Sequence, residues 1–407
     1  MSTAGPLGAA ALAAGYAERL VLGTVRDVHG AVAGRVHGAV DAVAGGSTLP
    51  HRMHDGIAGA VYSGVGLGLR AASRGLASAD RVAGRAGLGP RLDDTPRGRF
   101  LVSAVNGLVG DRLREEFPEH YFDMGVRVAG RDVVLESPDV AAAYPTATGA
   151  LVVFVHGLSE SEAHWERAVR PRRDEVVPGY GRRLEADGWT PVQVRVNTGL
   201  PIQDNGVALA ALLDRLLAAW PEEVRRIALV GHSMGGLIVR AACAAGADAP
   251  PPWTDLVTDV VTLGTPHLGA PLERAANAGV RTLGRIPESA PFGRILEFRS
   301  PGILDLRRGL AADVQNLPHA RYHLVAATLA RSPRSPLAET VGDLLVPFSS
   351  ATGRPRRGSE MFPGADVLHV PRAHHFDLLN HDVVHAALRT WLCEDPEHRT
   401  STQEASR

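Results

Sequence analysis

From residue 150 onward the chain alternates short apolar runs with longer amphipathic ones. The runs at 151–155, 192–196, 226–230, 260–263, 323–327 and 367–370 are rich in Val, Leu, Ile and Ala and are too short for stable helices, so they predict buried strands. Between them, residues 205–219 place Leu209, Leu212, Leu213, Leu216 and Leu217 on one helical face. Strand and helix in regular alternation predict a doubly wound, mostly parallel sheet. Just upstream, the pattern at 126–128 and 132–135, with Gly130 between, predicts a short hairpin.

The first 96 residues follow a different rule. They are rich in Ala, Gly, Val, Arg and His, and residues 29–40 are echoed by 54–65. Each copy carries an apolar stripe at helical spacing, first Val28, Val32, Val36 and Val40, then Ile57, Val61, Val65 and Leu69. Small residues recur at every fourth position, among them Gly30, Gly34 and Gly38, then Gly56, Ala60, Gly64 and Gly68. This spacing lets helices approach closely. Two uses fit it: a helical pair that docks on its own chain or a second copy, or association with a membrane surface. Arg26, Asp27, Arg35 and Asp41 argue against a spanning helix. The expected organisation is therefore a helical accessory region over 1–96, a connecting helix over 97–120, a catalytic domain over 121–395 and a disordered tail over 396–407. Within the catalytic domain, residues 271–316 carry scattered Pro, Gly and apolar positions and form a candidate helical cap or lid.

Composition narrows the class. The formal net charge of -1 gives no electrostatic reason to expect a nucleic acid partner. The 43 basic residues are all arginine, which reads as coding bias. Two cysteines, Cys243 and Cys393, make neither a disulfide framework nor a metal site, and no cofactor or metal is expected. No basic leader segment opens the chain and no run is long enough to span a bilayer, so a cytoplasmic protein, with peripheral membrane contact as an option, is the expectation.

The candidate chemistry begins at Gly231-His232-Ser233-Met234-Gly235, which follows an apolar strand and precedes a helical run. This is the pattern of a nucleophile elbow. The chain turns sharply at the serine, and only small residues fit two positions away on either side. Ser233 is the one serine in the chain flanked by glycine at both of those positions. A tight structural turn is the alternative reading, and context decides between them.

An acyl-transfer site also needs oxyanion donors, a base and an acid. The Met234 N–H, directly after the nucleophile, is one donor. The turn after the strand at 151–155 reads His156-Gly157-Leu158, and the Leu158 N–H is the second candidate. His156 could be a base, but it precedes the acid in the chain, and a structural role is preferred. For the acid, Asp343 follows Gly342 in the loop beyond the strand at 323–327, with Asp366 as a rival that opens the next strand. For the base, the last strand runs into His374-His375, and His375 is preferred because a helix begins after it. His381 and His385 are placed within that helix, on the surface or behind the site. His267, in the run Thr265-Pro-His267 after another strand, borders the pocket or serves structure.

Taken together, Val155-His-Gly-Leu158, Gly231 to Gly236, Thr262 to Gly269, Gly342-Asp343 and the run from His375 to His381 resemble the α/β-hydrolase lipases and esterases, and in particular bacterial members similar to the GPI inositol-deacylase type of lipase. The resemblance covers roughly 121–392. It implies an α/β-hydrolase fold, with Ser233 as nucleophile, Asp343 as acid, His375 as base and Leu158 and Met234 as oxyanion donors. It also implies a fatty-acyl or other lipid-like ester as substrate. A thioesterase or acyltransferase on the same fold is the nearest alternative. A membrane-associated scaffold with a vestigial hydrolase domain is the alternative from another class.

Overall fold

The computed structural model describes residues 7–8, 10–11, 14, 48–85, 96–116, 118–166, 169–172, 175–247, 253–270, 300–310, 314–355 and 359–393. The chain divides into two compact units. One takes in residues 2–98 and 117–120, the other 99–116 and 121–407.

In the first unit, helix α1 (Thr48–Arg85) runs for 38 residues. Its Ser73 hydroxyl is buried and donates to the Ala11 carbonyl at 2.8 Å. Among the described residues, a Cβ at Gly64 or Gly68 would meet nothing within 4 Å. Val65, Leu67 and Val82 stand exposed on the same helix. The first of the two repeats, 29–40, lies outside the described residues.

The second unit begins within helix α2 (Pro96–Glu116), which is broken at Val109 by non-helical backbone angles. Then follow β1 (Gly125–Val128), β2 (Arg131–Asp132), β3 (Ala150–Val155), the small pair β4 (Val169–Arg172) and β5 (Glu175–Val177), β6 (Thr190–Arg195), helix α3 (Ile202–Ala219) and β7 (Arg226–His232). Helix α4 (Met234–Gly246), β8 (Val257–Leu263), helix α5 (Pro301–Arg308), β9 (Arg321–Thr328), β10 (Asp366–Pro371) and helix α6 (Asp382–Cys393) complete the order. All six strands expected after residue 150 are present. The hairpin forms too, but β2 stops at Asp132, two residues after the turn at Gly130, and only the Val133 N–H to Val126 carbonyl bond carries the pairing onward.

Among the described residues one sheet holds eight strands in the order β2-β1-β6-β3-β7-β8-β9-β10. From β6 to β10 every pairing is parallel, while β1 is antiparallel to both of its neighbours. The crossing from β3 out to β6 and back to β7 makes β3 a point where the winding reverses, and in such sheets ligand sites gather outside the carboxyl ends of the strands.

Both faces of the sheet are covered, which explains the nearly unbroken apolar strands. Leu151, Val153, Val155 and Leu229 point into one core with Leu209, Leu212, Leu213 and Leu216 of α3 and Leu237 and Ile238 of α4. Val152, Phe154, Ala228 and Val230 point the other way, onto Trp165, Tyr180 and Leu388. Helices α3 and α4 meet closely because Gly206 leaves no room for a Cβ against the Ala241 backbone. Cys243 is buried in α4, as its apolar setting predicted, and burial pushes its thiol up to about 12.

The architecture is that of an α/β-hydrolase: a mostly parallel mixed sheet wrapped by helices, preceded by a helical region. Of the candidate cap, 271–299 lies outside the described residues, and α5 falls within the remainder.

Candidate active site

Five neighbouring parallel strands deliver the site residues from their carboxyl ends. Strand β7 ends in Ser233, whose backbone sits at φ 52° and ψ −122°. A non-glycine residue with this φ is strained, and the surroundings must hold it. They do so from three sides. The Ser233 N–H donates to the Leu263 carbonyl at 2.8 Å, tying the elbow to the end of β8. A Cβ at Gly231 would lie 2.5 Å from the Gly236 Cα, and one at Gly235 would overlap the Val155 carbonyl. The two flanking glycines are thus required by close passage of backbone, as the elbow pattern predicts.

Strand β3 delivers the turn His156-Gly157-Leu158 to the same place. A Cβ on Gly157 would stand 2.9 Å from the Ser233 Cβ and 3.2 Å from the His232 carbonyl, so this glycine lets the turn lie against the elbow. The turn assigns its amides carefully. Gly157 N–H donates to a Glu160 carboxylate oxygen at 2.7 Å, and Ser159 N–H to the Thr198 hydroxyl at 3.2 Å. Leu158 N–H has no acceptor among the described residues. Met234 is the first residue of α4, where the N–H has no partner inside the helix.

His156 is fully buried. Its Nε2 accepts from the Val196 N–H at 3.0 Å and its Nδ1 donates to the Gly157 carbonyl at 3.0 Å. Burial pushes its pKa down, against smaller opposing effects from the Gly157 carbonyl, Glu160 and Glu162. Both ring nitrogens are occupied in bracing the turn.

Strands β9 and β10 bring Asp343 and His375 together. Gly342, at φ 58°, and Leu344, at φ 86°, bend the loop after β9. Asp343 Oδ1 accepts the N–H groups of Leu345 at 3.0 Å and Val346 at 2.8 Å, while Oδ2 stands 2.7 Å from His375 Nδ1. A second bond, His375 N–H to the Asp343 carbonyl at 3.0 Å, locks the two loops. Gly264, at the end of β8 with φ 60°, permits the approach, because a Cβ there would lie 3.1 Å from the His375 ring. Burial alone would lower the His375 pKa, but the charge and hydrogen bond of Asp343, with a lesser contribution from Glu160, raise it above the ordinary value.

His375 Nε2 is buried and has no hydrogen-bond partner among the described residues. The bond from Ser233 to His375 is therefore not made in this state. Such bonds are often loose without substrate and tighten when it binds. The backbone links the elbow to the base loop: Ser233 N–H is bonded to Leu263, and a Cβ on the next residue, Gly264, would lie 3.1 Å from the His375 ring.

The other candidates fall outside this cluster. Asp366 opens β10 at the opposite end and bonds His323 Nδ1 at 3.0 Å. His374 caps the short 3-10 turn His375–Leu379 together with Asp377. His381 precedes α6 rather than lying within it, and His385 lies inside the helix but is buried against Tyr180. His267 is fully buried, 3.2 Å from the Thr262 hydroxyl and packed on Phe362 with ring centroids 4.6 Å apart. Burial, and then the Arg240 charge, hold its pKa well below the ordinary value.

The sequence reading missed two contributions. Glu160 is 4 % exposed and sits directly beneath the elbow, bonded to His232. Its only signal was a carboxylate three residues after Gly157 in an otherwise small and apolar turn. Helix α2, expected as a connector, also packs on the site's loops. Asn106 accepts the Thr198 N–H at 2.9 Å, and Asn197 donates to the Gly110 carbonyl at 3.2 Å, so its break at Val109 falls where it meets the loop after β6.

The fold and this cluster place the chain among the α/β-hydrolase architectures. Residues 146–297 match the model of a family described as "Putative serine esterase (DUF676)", a span that runs from the strand before the His156 turn past the elbow. Among solved structures, the mature Bacillus licheniformis lipase BlEst2 is similar at 20% identity, over 60% of this chain and 91% of that one, with a TM-score of 0.41. The Pyrococcus furiosus esterase Pf2001 is similar at 15% identity over 60% and 83% of the two chains, with a TM-score of 0.38. A thermophilic esterase from Thermogutta terrifontis is similar at 16% identity over 61% and 90%, with a TM-score of 0.37. No curated protein matches the chain in sequence.

Proposed function

We propose that this chain is a serine carboxylic-ester hydrolase that works through an acyl-enzyme. The observation that carries the reading is a strained elbow serine at the end of β7 together with a buried carboxylate–histidine pair after β9 and β10, all at the carboxyl ends of one parallel sheet. His375, oriented by Asp343, takes the Ser233 proton as Oγ attacks the ester carbonyl. The oxyanion develops toward the N–H groups of Leu158 and Met234. His375 then returns the proton to the leaving alcohol, and water repeats the sequence to release the acid. The match to a serine esterase family over 146–297 supports the reaction class.

The resemblance to the GPI inositol-deacylase type of lipase points to a fatty-acyl ester as the substrate class. Thioester hydrolysis and acyl transfer use the same groups and differ only in the leaving group or acceptor. For the helical region we infer a role in association, with a membrane surface or a second copy of the chain, consistent with exposed Val65, Leu67 and Val82 on α1. No helix among the described residues is long and apolar enough to cross a membrane.

Labelling with a fluorophosphonate probe tests the assignment. Wild type should be labelled and Ser233→Ala should not. Equal labelling of the two, or none of wild type, would overturn it. Rates on p-nitrophenyl esters from acetate to palmitate, compared with the matching thioesters, would define the acyl group and leaving atom.

A further inference from the structure

Besides the Asp343–His375 pair, a second buried carboxylate–histidine pair lies at the centre of the site. His232 is the residue before the nucleophile and has no exposed surface. Its Nδ1 stands 2.8 Å from Glu160 Oε1 and its Nε2 3.2 Å from the His375 carbonyl oxygen. Carboxylate and carbonyl oxygens accept, so both ring nitrogens of His232 face acceptors. Glu160 in turn holds the oxyanion turn, accepting the Gly157 N–H at 2.7 Å and donating its own N–H to the Gly157 carbonyl at 3.1 Å.

The hydrogen bonds therefore run without interruption from Gly157 through Glu160 and His232 to the His375 backbone, and from His375 to Asp343. That string joins the ends of β3, β7 and β10 to the loop after β9. Its members are packed in place: the His232 ring lies 4.7 Å from that of His375 and edge-on to Trp165 at 6.3 Å.

We propose that Glu160 is a positioning residue for the hydrolysis assigned above, fixing the oxyanion turn and the base loop relative to each other through His232. The inference rests on that assignment. The physical case is that Leu158 N–H must point where charge develops, and its neighbour Gly157 is the residue Glu160 clamps. A buried carboxylate accepting an amide N–H and an imidazole N–H makes charge-assisted bonds, which are shorter and stronger than neutral ones. Burial opposes ionisation of Glu160, but the charge and hydrogen bond of His232, the charge of His164 and the Gly157 amide outweigh it and hold the carboxyl at about 2. The Glu160 carboxylate is therefore ionised at any pH where hydrolysis would be measured. A group that orients others without touching substrate should act on the transition state and not on ground-state binding.

The test compares wild type with Glu160→Gln, which keeps size and shape but puts an amide N–H donor where one donor needs an acceptor. On a soluble p-nitrophenyl ester, kcat should fall about 10- to 100-fold with KM within about twofold, as expected for misplacement of an oxyanion donor. Affinity for an alkyl boronic acid, which forms a tetrahedral adduct with Ser233, should fall by the same factor, while affinity for the product carboxylate stays level. Unchanged kcat and boronate affinity would overturn the proposal. So would an equal loss of boronate and carboxylate binding, which would mean general disruption.

His232→Asn provides a second arm should Glu160→Gln fail to fold. The Asn amide can still donate to Glu160 but does not reach the His375 carbonyl. It should lower kcat with boronate affinity reduced less than kcat. Wild-type kcat in this variant would show that the link to His375 does nothing, against the proposal. Absence of turnover in wild type itself would sink the hydrolase assignment instead, and so is distinguishable.

Discussion

Asp343 Oδ2 lies 2.7 Å from His375 Nδ1, and the other carboxylate oxygen of Asp343 takes the amides of Leu345 and Val346. The carboxylate is thus fixed by its own loop before it orients the imidazole. One oxygen is committed to holding position and the other to selecting the tautomer that leaves Nε2 free for a proton.

Asp343→Asn keeps the shape and removes that selection. Its amide would donate to His375 Nδ1, placing the ring proton on Nε2, where the base must be empty. We expect kcat to fall by roughly 10⁴-fold with little change in KM. A fall of less than about tenfold in steady-state rates would show that another acid serves His375.

With His375 as the proposed base, its raised pKa should set the pH profile. The base works only when neutral, so activity is lost as pH falls through its pKa. Because Asp343 raises that pKa above 6.5, the acid limb of kcat/KM should fall above 6.5 in wild type. In the residual activity of Asp343→Asn, with the raising charge gone, the limb should move to lower pH. A limb at the same pH in both proteins would mean that it reports another group.

Gly157→Ala places a methyl 2.9 Å from the Ser233 Cβ and 3.2 Å from Glu160 Oε2. Neither neighbour can retreat, since the elbow is backbone-locked and Glu160 is bonded on two sides. We expect a loss of about 1–3 kcal/mol in stability. Turnover should fall by about 10²-fold, because the oxyanion turn is displaced from the nucleophile. Chemical denaturation and steady-state kinetics on the same preparation separate the two effects, and wild-type turnover would show that the turn is not near the reacting atoms.

Glu160 also links folding to pH. Its folded-state pKa is depressed from 4.5 to about 2, so it contributes stability that is fully present above 4.5 and is lost as pH falls through about 2. Glu160→Gln cannot titrate. Between pH 4.5 and 2 its urea midpoint should decline less steeply than that of wild type. Parallel declines would show that folding does not depress the Glu160 pKa.

Much of this molecule is legible in the amino-acid sequence because its signals are local. The strands at 150–155 and 226–232 are written as apolar runs, since a parallel sheet covered on both faces tolerates little else. The elbow is written as Gly231, Ser233 and Gly235, since a sharp turn under passing backbone leaves no room for side chains. Position relative to the strands then favours Asp343 over Asp366, which opens β10, and the turn that begins after it favours His375 over His374.

What the sequence could not settle is long-range. Glu160 looks like any polar residue in a loop, and His232 like a spacer within the elbow, until β3 and β7 pair and bring them within 2.8 Å. Helix α2 reads as a connector until its Asn106 meets Thr198, 92 residues away. Pairings of this kind depend on which strands become neighbours, and that is fixed by burial summed over the whole sheet and not by any local pattern. The sequence by itself determined the fold class and the identities of the nucleophile, acid and base candidates, because backbone sterics and chain order constrain them residue by residue. Only the tertiary structure decided what holds those residues in register, because a buried charge takes its meaning from partners that the fold alone brings into contact.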